Sequence, residues 1–407
     1  MSTEKIIIAG AGQAGAQCAV SLRQAGHTGP LTLIGAEPEL PYQRPPLSKA
    51  YLKGEMEGAR LALRPAEFYS GQNIDVHTDN AVTAIDRKAR SVTLTSGENL
   101  SYEKLLLATG APPRKLDCAG ANLAGIHYLR TLKDSDQLRT ILDRPGRIVI
   151  VGAGYIGLEV AAVMRSYGRE VCVIEFADRP LARVASPEVS SFFTDLHRDA
   201  GIDFRFNECV TGFEGDTHVE RAVLQNGDTI DCCGALVGIG ALPNIDIAVN
   251  AGLDVDNGII VDEHTRTSDP DIFAAGDCSN FPSPRYDCRL RLESVPNAIE
   301  QSKVAAANMI GGEVVYDALP WFWSDQYDVK LQTVGLLGGY DQAIVRGDMA
   351  AKAFSVWYLR KGTLLAVDAI NDPAAFAIGR KLLMTGASID ADALGDLNRD
   401  LKSLITR

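Results

Sequence analysis

Two glycine fingerprints constrain this chain more than any other feature: Gly10-Ala-Gly12-Gln-Ala14-Gly15 and Gly152-Ala-Gly154-Tyr155-Ile156-Gly157. Each follows a short apolar run, Ile6-Ile-Ile-Ala9 and Ile148-Val-Ile-Val151, and each opens a helix-like segment. The first Gly makes the tight strand-to-helix turn and the second lets the backbone approach a pyrophosphate. The third lets the helix pack on the strand. Free N–H groups and the helix dipole then favour phosphate charge. One such loop could be a bare tight turn. Its recurrence in the same strand–turn–helix setting points to two dinucleotides, and so to electron transfer between them.

At 407 residues, the chain has room for two or three domains. A net charge of -12 argues against general nucleic-acid binding, which needs a basic face. No apolar run reaches the length of a membrane span. Met1-Ser-Thr-Glu-Lys5 leads straight into a strand without the features of a signal peptide, so the expected compartment is cytoplasmic. The eight cysteines form no C-x-x-C pair, and no metal site is expected from them.

Strand and helix patterns alternate to about residue 175, as in βαβ units on parallel sheets. A Pro-rich loop, Pro41-Tyr-Gln-Arg44-Pro-Pro-Leu-Ser48-Lys49, interrupts the first module, and residues 81–107 read as hairpin material. The second module closes near Pro243, and the first resumes through Gly258-Ile-Ile-Val261 and Asp271-Ile-Phe-Ala-Ala-Gly276-Asp277. From about residue 321 the pattern changes. Strands are expected at 329–334, 343–346, 353–359 and 364–370, and helices at 374–384 and 390–406. The fold class is therefore α/β, with two Rossmann-like dinucleotide-binding domains, one inserted in the other, and a C-terminal α+β domain with an antiparallel sheet. The boundaries expected are 1–114 and 244–320 for the first domain, 115–243 for the second and 321–407 for the third.

Several blocks carry a closer resemblance: Pro45-Pro-Leu-Ser-Lys49, Tyr128-Leu-Arg130-Thr-Leu132, Gly154-Tyr-Ile-Gly-Leu-Glu-Val-Ala161, Ala275-Gly-Asp277-Cys, Glu293-Ser-Val-Pro-Asn-Ala298 and Pro320-Trp-Phe-Trp-Ser-Asp-Gln326. With them the chain resembles the FAD-dependent flavoprotein reductases that serve [2Fe–2S] ferredoxins of oxygenase systems. The resemblance implies bound FAD at the first loop, with Gly10, Gly12, Ala14 and Gly15 around its pyrophosphate. Arg44, Lys49, Val82, Arg130, Asp277 and Val295 match further FAD-contact positions. A ribose carboxylate is expected after the second strand, where relatives often have Asp at the position of Ala36. Here Glu37 follows instead.

NADH is implied at the second loop, around Gly152, Gly154, Tyr155, Ile156 and Gly157. Glu175, at the end of the next strand, can bond both ribose hydroxyls and repel a 2′-phosphate. Arg179 and Arg183 are nearby cations. Tyr155 is expected as an aromatic cover, and Glu159 and Glu293 match positions at the carboxamide end. Lys49 near the flavin has a rationale of its own, since its charge favours the reduced, anionic ring. Trp323 is implied beside the flavin on the exit route of single electrons, with Trp321 as core. Arg64, Lys303 and Lys330 are candidates for a basic ferredoxin-docking patch.

Three rivals are open at this level. A disulfide reductase needs a reactive cysteine near the flavin, and Tyr42–Ser48 carries none; nor is there a His after His264. An NADH:quinone reductase needs a strongly apolar or basic terminal helix. A flavoprotein that only senses NADH would turn over slowly with every acceptor.

Overall fold

The computed structural model describes residues 2–406. The chain divides into two units, each built from three stretches. Unit 1 holds residues 1–43, 58–112 and 241–318, and unit 2 holds 44–57, 113–240 and 319–407.

In unit 1, Ile6–Ala9 is buried at every position, as a parallel strand covered on both faces must be. It is the centre of a five-stranded sheet in the order Ile272–Ala274, Lys104–Leu107, Ile6–Ala9, Leu31–Ile34, Asp75–His77. Every pairing is parallel. The strand at 272–274 joins the sheet that residue 6 began, so the first module does resume late in the chain. The helices Gln13–Gln24 and Val295–Met309 pack on one face around Ala19, Leu22, Ala305 and Met309. The expected hairpin material is an antiparallel sheet of Val82–Asp86, Ser91–Leu94 and Asn99–Ser101.

Unit 2 repeats the plan. Ile148–Val151 is again fully buried, and the order is Ile202–Phe206, Val171–Glu175, Ile148–Val151, Gly234–Val237, Ile126–His127. In both sheets the chain leaves the fingerprint strand in one direction and later returns on its other side. That reversal is the topological switch point, where open α/β sheets bind ligands at the carboxyl ends of their strands.

The C-terminal part of unit 2 is a five-stranded antiparallel sheet in the order Trp321–Gln326, Val329–Gly335, Thr363–Ile370, Ala353–Arg360, Gln342–Asp348. Four of these strands match the sequence expectation. Trp321–Gln326, an edge strand, is additional. Helix Pro373–Thr385 packs its Ala375, Ile378 and Leu382 onto Val334, Trp357 and Val367.

The helix expected over 390–406 does not form. A single turn, Ala391–Leu394, ends at Gly395, and a 3-10 turn at Leu401–Leu404 follows. Asp396 accepts the Asn398 N–H at 3.0 Å, a local turn that competes with helix. The carbonyls that a helix would have paired go to a side chain instead. The buried guanidinium of Arg346 donates to the carbonyls of Leu394 and Asp396 at 2.8 Å each and of Arg399 at 2.6 Å. Of the leucines at 394, 397, 401 and 404, three (Leu394, Leu401 and Leu404) therefore reach the core through a tertiary clamp rather than a helix, and Leu397 stays exposed. Arg346→Met should cost about 2 to 4 kcal/mol of local stability by stranding these carbonyls. Hydrogen exchange over residues 391–404 should accelerate while the two parallel sheets keep their protection.

Candidate functional site

The two fingerprints fold the same way, bond for bond. Gly10 N–H donates to Ile34 O and Gly152 N–H to Ile174 O, both at 2.8 Å. A Cβ on Gly10 would lie 2.1 Å from Ala108 O, and one on Gly152 would lie 2.4 Å from Gly238 O. Both glycines also sit at positive φ, 119° and 102°. The third glycines are as tightly held: a Cβ on Gly15 would meet Gly10 O at 1.8 Å, and one on Gly157 would meet Gly152 O at 2.2 Å. The middle glycines differ. A Cβ on Gly12 or Gly154 would meet nothing within 4 Å. Each is also the N-cap of its helix and supplies no side-chain cap. Two of three glycines thus serve the fold, and the middle one keeps open space before uncapped N–H groups, where a pyrophosphate fits.

The two loops part company at the next strand. Glu175 places its carboxylate across its own loop, accepting Ala153 N–H at 2.7 Å and Ala177 N–H at 2.8 Å. The matching backbone position in unit 1 is Gly35, because Ile34 and Ile174 make equivalent bonds. A Cβ there would come 2.6 Å from the Ala11 Cβ. A carboxylate is therefore displaced to Glu37, which is half-buried and accepts the Tyr42 hydroxyl. Arg179 is tied down by Ala185 O at 3.2 Å and Ser190 Oγ at 3.0 Å. Arg183 is exposed, near Gly240. Ile156 is exposed in the first turn of the helix.

Within unit 1, the Gly276 turn packs so closely on Ala14 that a Cβ at Gly276 would lie 3.0 Å from the Ala14 Cβ. Buried Gln301 fixes this turn, its Oε1 accepting Gly276 N–H at 2.8 Å and Ser279 Oγ at 2.7 Å. Asp277, next in the turn, is half-buried, and Arg291 bonds its carbonyl at 3.2 Å. The same Arg291 pairs with Glu293 at 2.6 Å. Val295 opens the helix capped by Ser294, and Val82 begins a strand at the edge of the core.

Within unit 2, the Pro-rich segment is a 3-10 turn, Pro45–Ser48, whose prolines preset φ. Arg44 Nη1 donates to Arg130 O at 2.7 Å, and Ser135 Oγ to Leu47 O at 2.9 Å. This brings Lys49 onto Glu159, Nζ to Oε2 at 2.6 Å. Glu159 is 4% exposed, so it is no helix-surface carboxylate. Ser48 Oγ donates to the same oxygen at 2.5 Å, and Ser324 Oγ to Oε1 at 2.6 Å. Sequence reasoning gave no role to Ser48 or Ser324. The only signal was their place inside the two diagnostic blocks.

The edge strand has two faces, as a pleat requires. Phe322, Ser324 and Gln326 alternate on one. Phe322 packs on Tyr155 with ring centroids 4.5 Å apart, and the Tyr155 hydroxyl bonds Thr333. Burial raises the Tyr155 phenol well above its usual range. The other face carries Trp321 and Trp323, 5.6 Å apart, with Trp321 against Phe376 at 5.9 Å. Among the docking candidates, Arg64 lies over Phe68 and Lys303 pairs with Glu300 at 2.7 Å, both in unit 1. Lys330 is exposed in unit 2. All eight cysteines are free, and no cluster that could hold a metal occurs among the described residues. Nor is any described helix long and apolar enough to cross a membrane.

Two buried titratable groups in unit 2 oppose each other in acid. Burial pushes Asp368 up to about 6, against the bonds it accepts from Thr333 and Tyr358. Burial pushes His197 down to about 4, against its bond to Gln326. Between pH 4 and 6, folded Asp368 holds a proton that the unfolded chain has lost, so its contribution falls as pH rises. His197 is neutral in the fold down to about 4 and protonated in the unfolded chain below about 6.5, so its contribution falls as pH drops. Asp368→Asn should gain stability relative to wild type from pH 4 to 6, and His197→Phe should lose it from pH 4 to 6.5. Each trend is worth up to about 3 kcal/mol. Urea unfolding across that range measures both.

Residues 4–302 match the family described as pyridine nucleotide-disulphide oxidoreductase, and residues 321–405 match the reductase C-terminal family. The chain is 44% identical to a ferredoxin–NAD(P)(+) reductase of Sphingomonas sp, over 98% of this chain and 97% of that one. It is 42% identical to the putidaredoxin reductase of Pseudomonas putida, over 99% and 97%. The reductase in a solved covalent putidaredoxin reductase–putidaredoxin complex superposes with a TM-score of 0.96, at 42% identity over 99% of this chain and 98% of that one.

Proposed function

The chain belongs to the pyridine nucleotide-disulphide oxidoreductase family, and from that premise we infer that it is an FAD-dependent NAD(P)H:ferredoxin oxidoreductase. Its partner is a [2Fe–2S] ferredoxin that feeds a cytochrome P450 or a Rieske-type oxygenase. The observation that carries this reading is the pair of equivalent fingerprint loops, each with open space at its middle glycine. Full-length relatives that pass electrons to ferredoxins support the acceptor.

FAD, when bound, supplies a two-electron acceptor able to release its electrons singly. The residues of unit 1 that would hold it are the Gly10–Gly15 loop, Glu37, Val82, Asp277 and Val295. Glu37 would take the adenine ribose in place of the Asp expected at the position of Ala36. Hydride transfer from a nicotinamide needs contact geometry rather than a protein acid or base. The tasks left to unit 2 are to orient the nicotinamide end, through Tyr155 and Glu159, and to keep the Lys49 charge in place. Trp323 stands as the residue on the electron exit. Arg64 and Lys330 are the stronger docking candidates, since Glu300 already compensates Lys303.

Preference for NADH over NADPH rests on Glu175 and on the commitment of Arg179 to its own loop. The ribose hydroxyls would share a carboxylate that already fixes the fingerprint. Glu175→Ser should raise the KM for NADH about tenfold and narrow the preference over NADPH, with kcat little changed. Unaltered KM values would remove Glu175 from the cofactor site. For the function itself, the purified protein should carry FAD, and NADH should reduce a [2Fe–2S] ferredoxin much faster than lipoate or a quinone. Faster reduction of lipoate would return the disulfide reading, and faster reduction of quinone would return the quinone reading.

A further inference from the structure

We propose that Ser324, Gln326 and His197 are positioning residues for the Lys49–Glu159 pair, acting through a one-way chain of hydrogen-bond donors that starts at Tyr327 and ends on the Glu159 carboxylate. The chain lies wholly within unit 2. Tyr327 OH reaches His197 Nδ1 at 3.2 Å. His197 Nε2 reaches Gln326 Oε1 at 2.8 Å. Gln326 Nε2 donates to Ser324 Oγ at 3.2 Å, and Ser324 Oγ to Glu159 Oε1 at 2.6 Å. Ser324, Gln326 and His197 are each 1% exposed or less.

The direction follows from valence. An ionised carboxylate only accepts, so Ser324 must donate its one proton to Glu159. Its oxygen then accepts, and the partner facing it must be the amide NH2 of Gln326. That turns the Gln326 carbonyl to His197, which must donate from Nε2. A neutral imidazole then accepts at Nδ1, and Tyr327 supplies the donor. Each link permits one orientation only. His197 packs tilted against Tyr327, with ring centroids 5.0 Å apart, and edge-on to Phe204 at 6.1 Å, a setting that keeps the imidazole neutral. An amide is a poor conductor of protons, so the chain orients Glu159 rather than carrying protons to it. The other carboxylate oxygen is taken by Lys49 and Ser48. With Oε1 pinned by Ser324, Oε2 is aimed at Lys49 and the ammonium is held in one place.

Nothing in this chain of residues depends on a bound cofactor. Its consequence for electron transfer rests on the flavin reductase reading. Nitrogen NMR of protein labelled at histidine tests the chain. His197 should show a neutral Nε2–H tautomer at pH 7, and Ser324→Ala or Gln326→Leu should move its two nitrogen signals toward tautomer averaging. Ser324→Thr, which keeps the hydroxyl, should restore them. An Nδ1–H tautomer, an imidazolium at pH 7, or signals unmoved by both variants would overturn the proposal. In the flavin-loaded protein, Ser324→Ala should shift the flavin midpoint potential and slow reduction by NADH about threefold or more, with rescue by Thr. An unchanged potential and rate would refute the link to the Lys49–Glu159 pair. A protein that binds no flavin would overturn the functional reading instead, and the NMR result would still decide the chain.

Discussion

The Glu159 carboxylate is the interaction on which unit 2 turns. It is a buried charge, and a buried charge is tolerated only when paired and hydrogen-bonded. Three donors from two other segments meet it: Ser48 and Lys49 from the Pro-rich turn, and Ser324 from the edge strand of the C-terminal sheet. Removing one partner of such a pair costs about 3 to 5 kcal/mol, whereas replacing the whole pair by apolar groups is often neutral. The arrangement therefore makes little sense as a stabiliser and much sense as a device that sets geometry. It explains why residues 44–57 are grouped with unit 2 although the chain before and after them belongs to unit 1. Arg44, Leu47 and Tyr51 add anchors on Arg130, Ser135 and Asp136.

Duplication of the parallel module gives the second constraint. The same arrangement of four strands around the fingerprint strand and the same glycine contacts recur, down to the carbonyl each missing Cβ would strike, although the outermost strand beside the return strand comes late in the chain in unit 1 and before the fingerprint strand in unit 2. Divergence begins one residue past the second strand. Glu175 has room to reach back to Ala153, whereas Ala11 crowds the position of Gly35. A side chain cannot occupy that place in unit 1, so the carboxylate moves along the chain and is steadied by Tyr42. One topology thus carries two different placements of a carboxylate beside its fingerprint loop.

Much of the fold was legible because its signals are local. Four-residue apolar runs, glycines at fixed offsets and period-two alternation each report on backbone conformation within a few residues. The helix expected over 390–406 is overridden by the local turn at Gly395 and Asp396 and by Arg346, far away in sequence, which takes the carbonyls. The edge strand Trp321–Gln326 has no period-two polarity to announce it, since Trp321, Phe322 and Trp323 are all aromatic and send their rings to both faces. Its pleat then mattered most, since it sends Phe322 and Ser324 to Tyr155 and Glu159 and leaves Trp321 and Trp323 on the opposite face.

By itself, the sequence determined the class of fold, the two glycine fingerprint loops and the late return of the first module, because glycine sterics and hydrophobic periodicity act over short stretches of chain. It also marked Lys49, Glu159 and Glu175 as charges of interest, without their partners. Only the tertiary structure decided that Glu159 is buried, that Ser48, Lys49 and Ser324 converge on it, and that Gln326 and His197 stand behind it. The bonds to Glu159 span 110 to 165 residues of sequence, and that of His197 to Gln326 spans 129. A hydrogen bond is made at about 3 Å in space whatever its separation along the chain, so no local pattern could announce them.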